Sequence, residues 1–381
     1  MSKDCYEIIT NYSCNYNCLF CSQEKNNFSP SFDEITKEIY FAKKHGFKRI
    51  GFSGGESTLV KDLPKIISFS KKAGFNFIRL QTNGFLLSDK EYVNQLVSLG
   101  LSYVKFTFLT TNPMINDKLT GVKKSFKKSL LGLRNIIDKK IGVGVNILIN
   151  SYNYADIEDI VVYFMDFGVS DFVIIYPIYV EMMRENYLKL GVSLPDASKY
   201  IIKTLKTAKA YGVLDGFKVL NVPYCLLGDY AERSSDFYKF DTVVSEPGGR
   251  KWDIDENVKK NKVKGKICSG CIWFHKCYGV DKNYIDIFGW SGFKKKFNNL
   301  EKINMDVNKK IYYTSNEKCI IEILKDSDYL STAQILKKAK KIPLCIGCKD
   351  GSNLVLSLNS LYSKKILSQK FTEGKYLWKL K

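Results

Sequence analysis

Residues 11–24 read NYSCNYNCLFCSQE, which sets Cys14, Cys18 and Cys21 within eight residues. C-x3-C-x2-C puts three thiolates on one loop, close enough to hold three corners of a cubane 4Fe–4S cluster. The missing fourth thiol is the informative part. A structural zinc or cluster site is closed, whereas an iron without a protein ligand can accept a small molecule. The competing reading is a zinc knuckle short of one ligand, and His45 lies too far along the following helical segment to complete it.

Outward from this loop, short β-rich runs alternate with helical patterns as far as about residue 180. CYEIIT reads as a strand that delivers the chain into the cysteine loop. SFDEITKEIYFAKKHG opens on a capping box, Ser31 with Glu34, and stops at Gly46. KRIGFSGGE is a strand running into a glycine-rich turn. Helices over 63–73, 89–98, 124–138 and 155–166 then alternate with the strands FIRLQTNG, YVKFTFLT, VGVNILIN and DFVIIYPI. Six strands separated by helices imply a parallel sheet with helices outside. Periodicity leaves open whether that sheet is flat or curled into a partial barrel. In either form the loops at the C-terminal strand ends gather into one site. The cysteine loop, SGGE, TNG and Asn150 all fall at such ends.

The net charge of +20 over 381 residues raises a nucleic-acid reading. Nearly all of it is lysine, in a chain also rich in Ile, Asn, Phe and Tyr, and Arg is scarce; a solvated lysine surface is favoured. With 45% hydrophobic residues the chain can bury a large core. It has neither an apolar run of roughly 18 residues nor a signal-peptide pattern, so a soluble cytoplasmic protein without membrane contact is expected. In that setting its 11 cysteines point to metal or redox chemistry rather than to a disulfide scaffold.

A second thiol group, Cys268, Cys271 and Cys277, lies in CSGCIWFHKCYG, and Cys225 stands upstream in FKVLNVPYC. Together they supply four thiolates, enough to close a cluster or a zinc site. His275 sits within the group, as a packed or solvent-facing ring or as a substitute for Cys225. The intervening ERSSDFYKFDTVVSEPGGRKWDIDENVKKNKVKGK reads as a polar loop. Beyond about residue 312, NEKCIIEILKDS, STAQILKKAKK with its Ser331/Gln334 capping box, and SNLVLSLNSLYSKKIL read as three helices, and SQKFTEGKYLWKL as a hairpin. That order resembles a winged helix. The last 81 residues hold 16 lysines against 8 acidic residues, and such a shape serves as a nucleic-acid reader, a peptide-binding element or a structural cap. Cys5, Cys319, Cys345 and Cys348 receive no role.

The C-x3-C-x2-C loop after strand one and the glycine-glycine-glutamate turn after strand two resemble the radical S-adenosylmethionine (radical SAM) enzymes. The resemblance implies an α/β fold with a partial (β/α)6 barrel. It also implies a 4Fe–4S cluster on Cys14, Cys18 and Cys21 whose open iron binds S-adenosylmethionine. In that family the cofactor is cleaved reductively to a 5′-deoxyadenosyl radical, which abstracts hydrogen from substrate. Phe20 corresponds to an aromatic position near the adenine. Ser53, Gly54, Gly55 and Glu56 correspond to the turn that meets the methionyl amino group, the glycines allowing close approach and the carboxylate accepting its protons. Thr82, Asn83 and Asn150 sit where members contact the carboxylate, ribose or adenine. NDKLTG at 116–121 resembles the family's segment after strand four.

Cys225, Cys268, Cys271 and Cys277 resemble the SPASM or shorter twitch extension. The full SPASM pattern carries another cysteine where this chain has Asp281, which implies one auxiliary 4Fe–4S cluster. The implied organisation is a core over 1–215, an auxiliary cluster domain over 216–300 and a winged-helix-like module over 301–381. The implied activity is modification of a ribosomally made peptide or protein by cross-linking, thioether formation, epimerisation or oxidation. Flavodoxin or ferredoxin would donate the electron. RNA or a small metabolite is the alternative substrate, and a non-enzymatic iron–sulfur regulator binding DNA through the tail is the alternative class.

Overall fold

The computed structural model describes residues 3–23, 28–237, 239–294, 315–325, 327–339, 351–372 and 375–381. The predicted alternation is present: β1 (Cys5–Ile9), α1 (Phe32–Lys44), β2 (Arg49–Ser53), α2 (Leu63–Lys72), β3 (Phe77–Thr82), α3 (Lys90–Ser98), β4 (Tyr103–Phe108), α4 (Pro113–Thr120), α5 (Ser125–Ile137), β5 (Gly142–Leu148), α6 (Ile157–Met165) and β6 (Asp171–Ile175). Two short helices, α7 (Glu181–Glu185) and α8 (Tyr187–Leu190), lead into α9 (Leu194–Ala210) and a seventh strand, β7 (Phe217–Leu220). α1 carries its predicted capping box: Ser31 Oγ accepts from the Glu34 N–H at 3.3 Å, and the Ser31 N–H donates to Glu34 Oε2 at 2.8 Å.

The segment read as a polar loop contains ordered elements. β8 (Thr242–Ser245) and β9 (Lys251–Asp253) form a hairpin, followed by α10 (Ile254–Lys260), β10 (Lys262–Val263), β11 (Val280–Asp281) and α11 (Lys282–Phe288). Strand signal in TVVS is short and flanked by charges, so it shows only once a neighbour supplies the hydrogen bonds. That neighbour is β1, with Cys5 opposite Thr242 on one side and Arg49 on the other.

The main sheet runs β7-β6-β5-β4-β3-β2-β1-β8-β9. β7 through β8 are parallel and β9 is antiparallel to β8. From β1 to β7 each crossover steps one place in the same direction. Right-handed connections of that kind put the helices on one face and leave the other to line an interior. Strand alternation follows: Val104, Phe106 and Phe108 of β4 are buried in the hydrophobic core, while Tyr103, Lys105 and Thr107 point to the opposite face. The sheet continues past residue 215, because β7 pairs with β6 and β8 with β1.

The C-terminal residues build a separate core. α12 (Ser315–Lys325), β12 (Leu330–Ser331), α13 (Thr332–Ala339), α14 (Gly351–Ser363), β13 (Leu367–Thr372) and β14 (Lys375–Leu380) enclose Ile320, Leu324, Ile335, Leu358 and Trp378. Their sheet runs β12-β14-β13, which leaves β13 at an edge. Cys319 is buried and disulfide-bonded, and Cys345 and Cys348 lie outside the described residues. Cys5 is buried on β1, where burial pushes its thiol up. Among the described residues no helix is long and apolar enough to cross a membrane.

Candidate active site

A cavity of about 550 Å³ opens at the C-terminal ends of the strands, and Cys14, Cys18, Cys21 and Phe20 all line it. The cysteine loop is held from two sides. Toward β2, the Thr10 N–H donates to Ser53 O at 2.8 Å, Gly55 N–H to Asn11 O at 2.9 Å and Glu56 N–H to Ser13 O at 2.8 Å. Toward α4, Asn17 N–H donates to Thr120 O at 2.9 Å and Leu19 N–H to Leu119 O at 3.0 Å. Within NDKLTG, which ends α4, Asn116 and Thr120 line the cavity, and both side chains bond to Ser125 Oγ.

Gly54, Gly55 and Glu56 line this cavity, and the glycine turn also packs on the cysteine loop. A Cβ on Gly54 would stand 2.3 Å from Asn11 O, and one on Gly55 would stand 2.2 Å from Ser13 O. The close approach these glycines permit is therefore to the cysteine loop itself; Gly54 also has a φ of +142°. Glu56 lines the cavity too, with its carboxylate held by protein donors. Its carboxylate is fully buried and accepts from Thr58 Oγ1 (2.6 Å), Thr58 N–H (3.1 Å), Thr82 Oγ1 (2.6 Å) and Asn83 N–H (2.7 Å). Burial pushes this carboxyl up, and the same four donors oppose the rise.

Thr82 and Asn83 line the cavity, with Asn83 Nδ2 donating to Asn15 Oδ1 at 2.7 Å beside Cys14. Ser53 and Asn150 do not line it. Ser53 closes β2, where its carbonyl takes Thr10. Asn150 is fully buried in the turn after β5, its Oδ1 accepting from Tyr152 N–H at 2.9 Å and its Nδ2 donating to Leu148 O at 3.3 Å. Asn150, for which the resemblance implies a carboxylate, ribose or adenine contact, thus holds a turn and does not border the cavity.

The second thiol group converges around a smaller cavity lined by Cys225, Cys268, Cys271 and Cys277 with Trp273, Phe274, Trp290 and Phe293. Burial, with the other three thiols close by, pushes Cys225 up to about 12; burial, with Asp236 adjacent, pushes Cys277 up to about 11. His275 is exposed and absent from this lining, so it is the solvent-facing ring rather than a substitute for Cys225. None of the seven cysteines in the two groups is disulfide-bonded. Among the described residues no three His, Cys, Asp or Glu side chains close tightly enough to hold one ion. Thiols spread around a cavity suit a cubane, whose cysteines bind separate corner irons.

Residues 8–164 match the profile of the Radical SAM superfamily. This region belongs to the radical SAM superfamily. A relative named "Probable GTP 3',8-cyclase" from Sulfolobus acidocaldarius is 30% identical over 168 residues, covering 40% of this chain and 53% of the relative. The chain thus spans about half the length of that curated relative. Two solved structures share the fold. Streptococcus suis SuiB bound to precursor peptide SuiA has a TM-score of 0.51 at 13% identity, over 91% of this chain and 76% of that one. Native anSMEcpe with bound AdoMet and Kp18Cys peptide has a TM-score of 0.56 at 16% identity, over 77% and 93%.

The radical SAM domain fits its cofactors. Three thiols face one cavity, and the only other metal-ligating group on its described lining, Glu56, is already engaged by four protein donors. The donor set therefore stops at three and leaves room for a small chelating molecule. Among the wall residues that sequence reasoning missed are Gln81, Thr107, Ser129 and Tyr16. Gln81 and Thr107 lie on the inward alternation of β3 and β4 near their C-terminal ends, a signal open to sequence reading. Ser129 enters from α5, bonding Asn83 O at 2.6 Å and Tyr16 OH at 2.9 Å, and it depends on tertiary packing.

Proposed function

We propose that this protein is a radical SAM enzyme that modifies a ribosomally synthesised peptide or protein. One observation carries the substrate class: among the described residues, the cavity beside the three thiols is lined by Ser, Thr, Asn, Gln, Tyr, Phe, Leu, Gly and Cys and by the hydrogen-bonded Glu56, with no Lys or Arg. A triphosphate or a polycarboxylate entering a desolvated site requires cations. Neutral amide and hydroxyl groups instead match the donors and acceptors of peptide backbone. In a chain with net charge +20, a cation-free wall favours peptide over a nucleotide such as the relative's name indicates.

When bound, the cluster and S-adenosylmethionine supply hydrogen-abstracting chemistry. The chain's contribution is placement. Cys14, Cys18 and Cys21 would hold the cluster, Phe20 would pack against adenine, and Thr82 and Asn83 would offer hydrogen bonds from the β3 end. Gly54, Gly55 and Glu56 fix the cysteine loop against β2. Cys225, Cys268, Cys271 and Cys277 would hold one auxiliary cluster in a SPASM or twitch-like region, closed by four thiolates and so serving electron transfer or cavity shape. A cytoplasmic flavodoxin or ferredoxin would supply the electron.

Residues 301–381 would form a winged-helix-like module that recruits the peptide. Edge strand β13 carries Lys370 and an exposed Phe371, next to exposed Tyr376 on β14, offering free backbone groups to an added strand. Anaerobically reconstituted, reduced protein should convert S-adenosylmethionine to 5′-deoxyadenosine and change the mass of its peptide, and Cys18→Ala should abolish both. Cofactor cleavage with GTP consumed and every peptide unchanged would overturn the peptide assignment.

A further inference from the structure

The strand pair β10–β11 closes the excursion that carries Cys268, Cys271 and Cys277, with Lys262 opposite Asp281 and Val263 opposite Val280. Gly279 makes the closure tight: its φ is +107°, and a Cβ there would stand 2.2 Å from Val263 O. Lys262 projects from this base into the protein, its side chain only 4% exposed, and meets Asp236, whose side chain is 0% exposed. Lys262 Nζ donates to Asp236 Oδ1. Asp236 Oδ2 faces the thiol group: it accepts from Tyr278 N–H at 3.1 Å and lies 3.8 Å from Cys277 Sγ. The same sulfur accepts from Gly279 N–H at 3.3 Å.

A fully buried ion pair is a poor stabilising device, because removing both charges from water costs about as much as their attraction returns. Its position is more informative. The thiol cavity is otherwise walled mainly by aromatic and apolar side chains, so a charge at its edge acts through a low dielectric. Lys264 also borders this cavity, but it is exposed, donating to Phe274 O at 2.6 Å, and water screens it. Lys259 lies over the Tyr278 ring at 5.0 Å, but it is half-buried and already paired with Glu256 at 2.7 Å.

We propose that the Asp236–Lys262 pair sets the reduction potential of a cluster held by Cys225, Cys268, Cys271 and Cys277. The pair presents its negative end to the Cys277 sulfur, with Lys262 as the moderating charge. This rests on the auxiliary-cluster reading above. One electron entering the cluster adds one negative charge, which Asp236 opposes and Lys262 favours. The two residues therefore pull the potential in opposite directions, and both act as positioning residues, since neither contacts substrate.

The test uses the full chain with Cys14, Cys18 and Cys21 replaced by Ala, so that only the second group can load. After anaerobic reconstitution, iron and sulfide are counted, and a dithionite titration followed by electron paramagnetic resonance gives the potential. Asp236→Asn should move it positive and Lys262→Met negative. Lys262→Arg should restore the parent value, and Lys264→Met should leave it nearly unmoved. Equal or same-direction shifts for Asp236→Asn and Lys262→Met overturn the inference. Should Asp236→Asn fail to take up iron, Lys262→Met against Lys262→Arg decides alone. Absence of iron and sulfide in the parent background overturns the auxiliary cluster itself, and the inference with it.

Discussion

Glu56 gathers two segments on one carboxylate: the turn after β2, through Thr58, and the end of β3, through Thr82 and Asn83. Asn83 in turn reaches Asn15 in the cysteine loop. Truncating the side chain would strand buried donors, each costing roughly 1–3 kcal/mol when left unpaired. Glu56→Ala is expected to lose about 3–5 kcal/mol of stability in denaturant unfolding, with Glu56→Gln between it and the parent, because the amide keeps one acceptor and adds a clashing donor. A Glu56→Ala protein within about 1 kcal/mol of the parent would show that the node is dispensable. The residue types at this site were legible because thiols, paired glycines and TNG are local signals. Their partners were not. That Glu56 would be consumed by the protein, and that Asn150 would hold a turn, depends on which atoms the fold brings within 3 Å, and spacing does not encode it.

β4 shows how an element carries a cost on its inward face. Lys105, 8% exposed, reaches Asp171 on β6 at 2.8 Å, beside Tyr103, which also bonds Asp171. Gly144 on the intervening β5 makes room: a Cβ there would meet Lys105 Nζ at 2.6 Å. Burial lowers the Lys105 amine to about 8 against the opposing pull of Asp171. Asp171, more exposed, is held low by Lys105 despite its own desolvation. Between about pH 8 and 10.5 the unfolded chain binds a proton that the folded chain has released, so stability should rise with pH across that window. Below it the amine is charged in both states and the folded protein bears the full desolvation penalty. The rise is at most on the order of 3 kcal/mol, and Lys105→Met should flatten it in unfolding curves recorded from pH 7.5 to 10.5. An unchanged slope would mean that the amine is hydrated. Elements with long apolar runs, β4 among them, were readable from sequence together with the helices between them. β8 was not, since TVVS becomes a strand only by pairing with β1, and α4 hid behind Pro113 and a short, weakly periodic run.

Among the described residues there are two separate hydrophobic cores, one under the nine-stranded sheet and one within the C-terminal elements. They meet through polar contacts near the end of α9. Lys364 pairs with Glu317 at 2.7 Å, both nearly buried, and its ammonium lies 4.1 Å over the Tyr211 ring. A contact of this kind orients the smaller unit without supporting the larger core. Every described residue lining the cavity beside Cys14, Cys18 and Cys21 lies before residue 130, so shortening the chain to 1–300 removes none of them. If the C-terminal unit recruits the substrate, its effect is one of local concentration, which falls on substrate capture and not on the cofactor. The shortened chain is therefore expected to keep cleaving S-adenosylmethionine to 5′-deoxyadenosine at a rate near the parent's. Its kcat/KM for peptide should fall by about tenfold or more through KM, while the rate at saturating peptide stays near the parent's. Parallel loss of both activities would instead mark residues 301–381 as a structural support of the core, because a recruiting element has no route to the cofactor reaction.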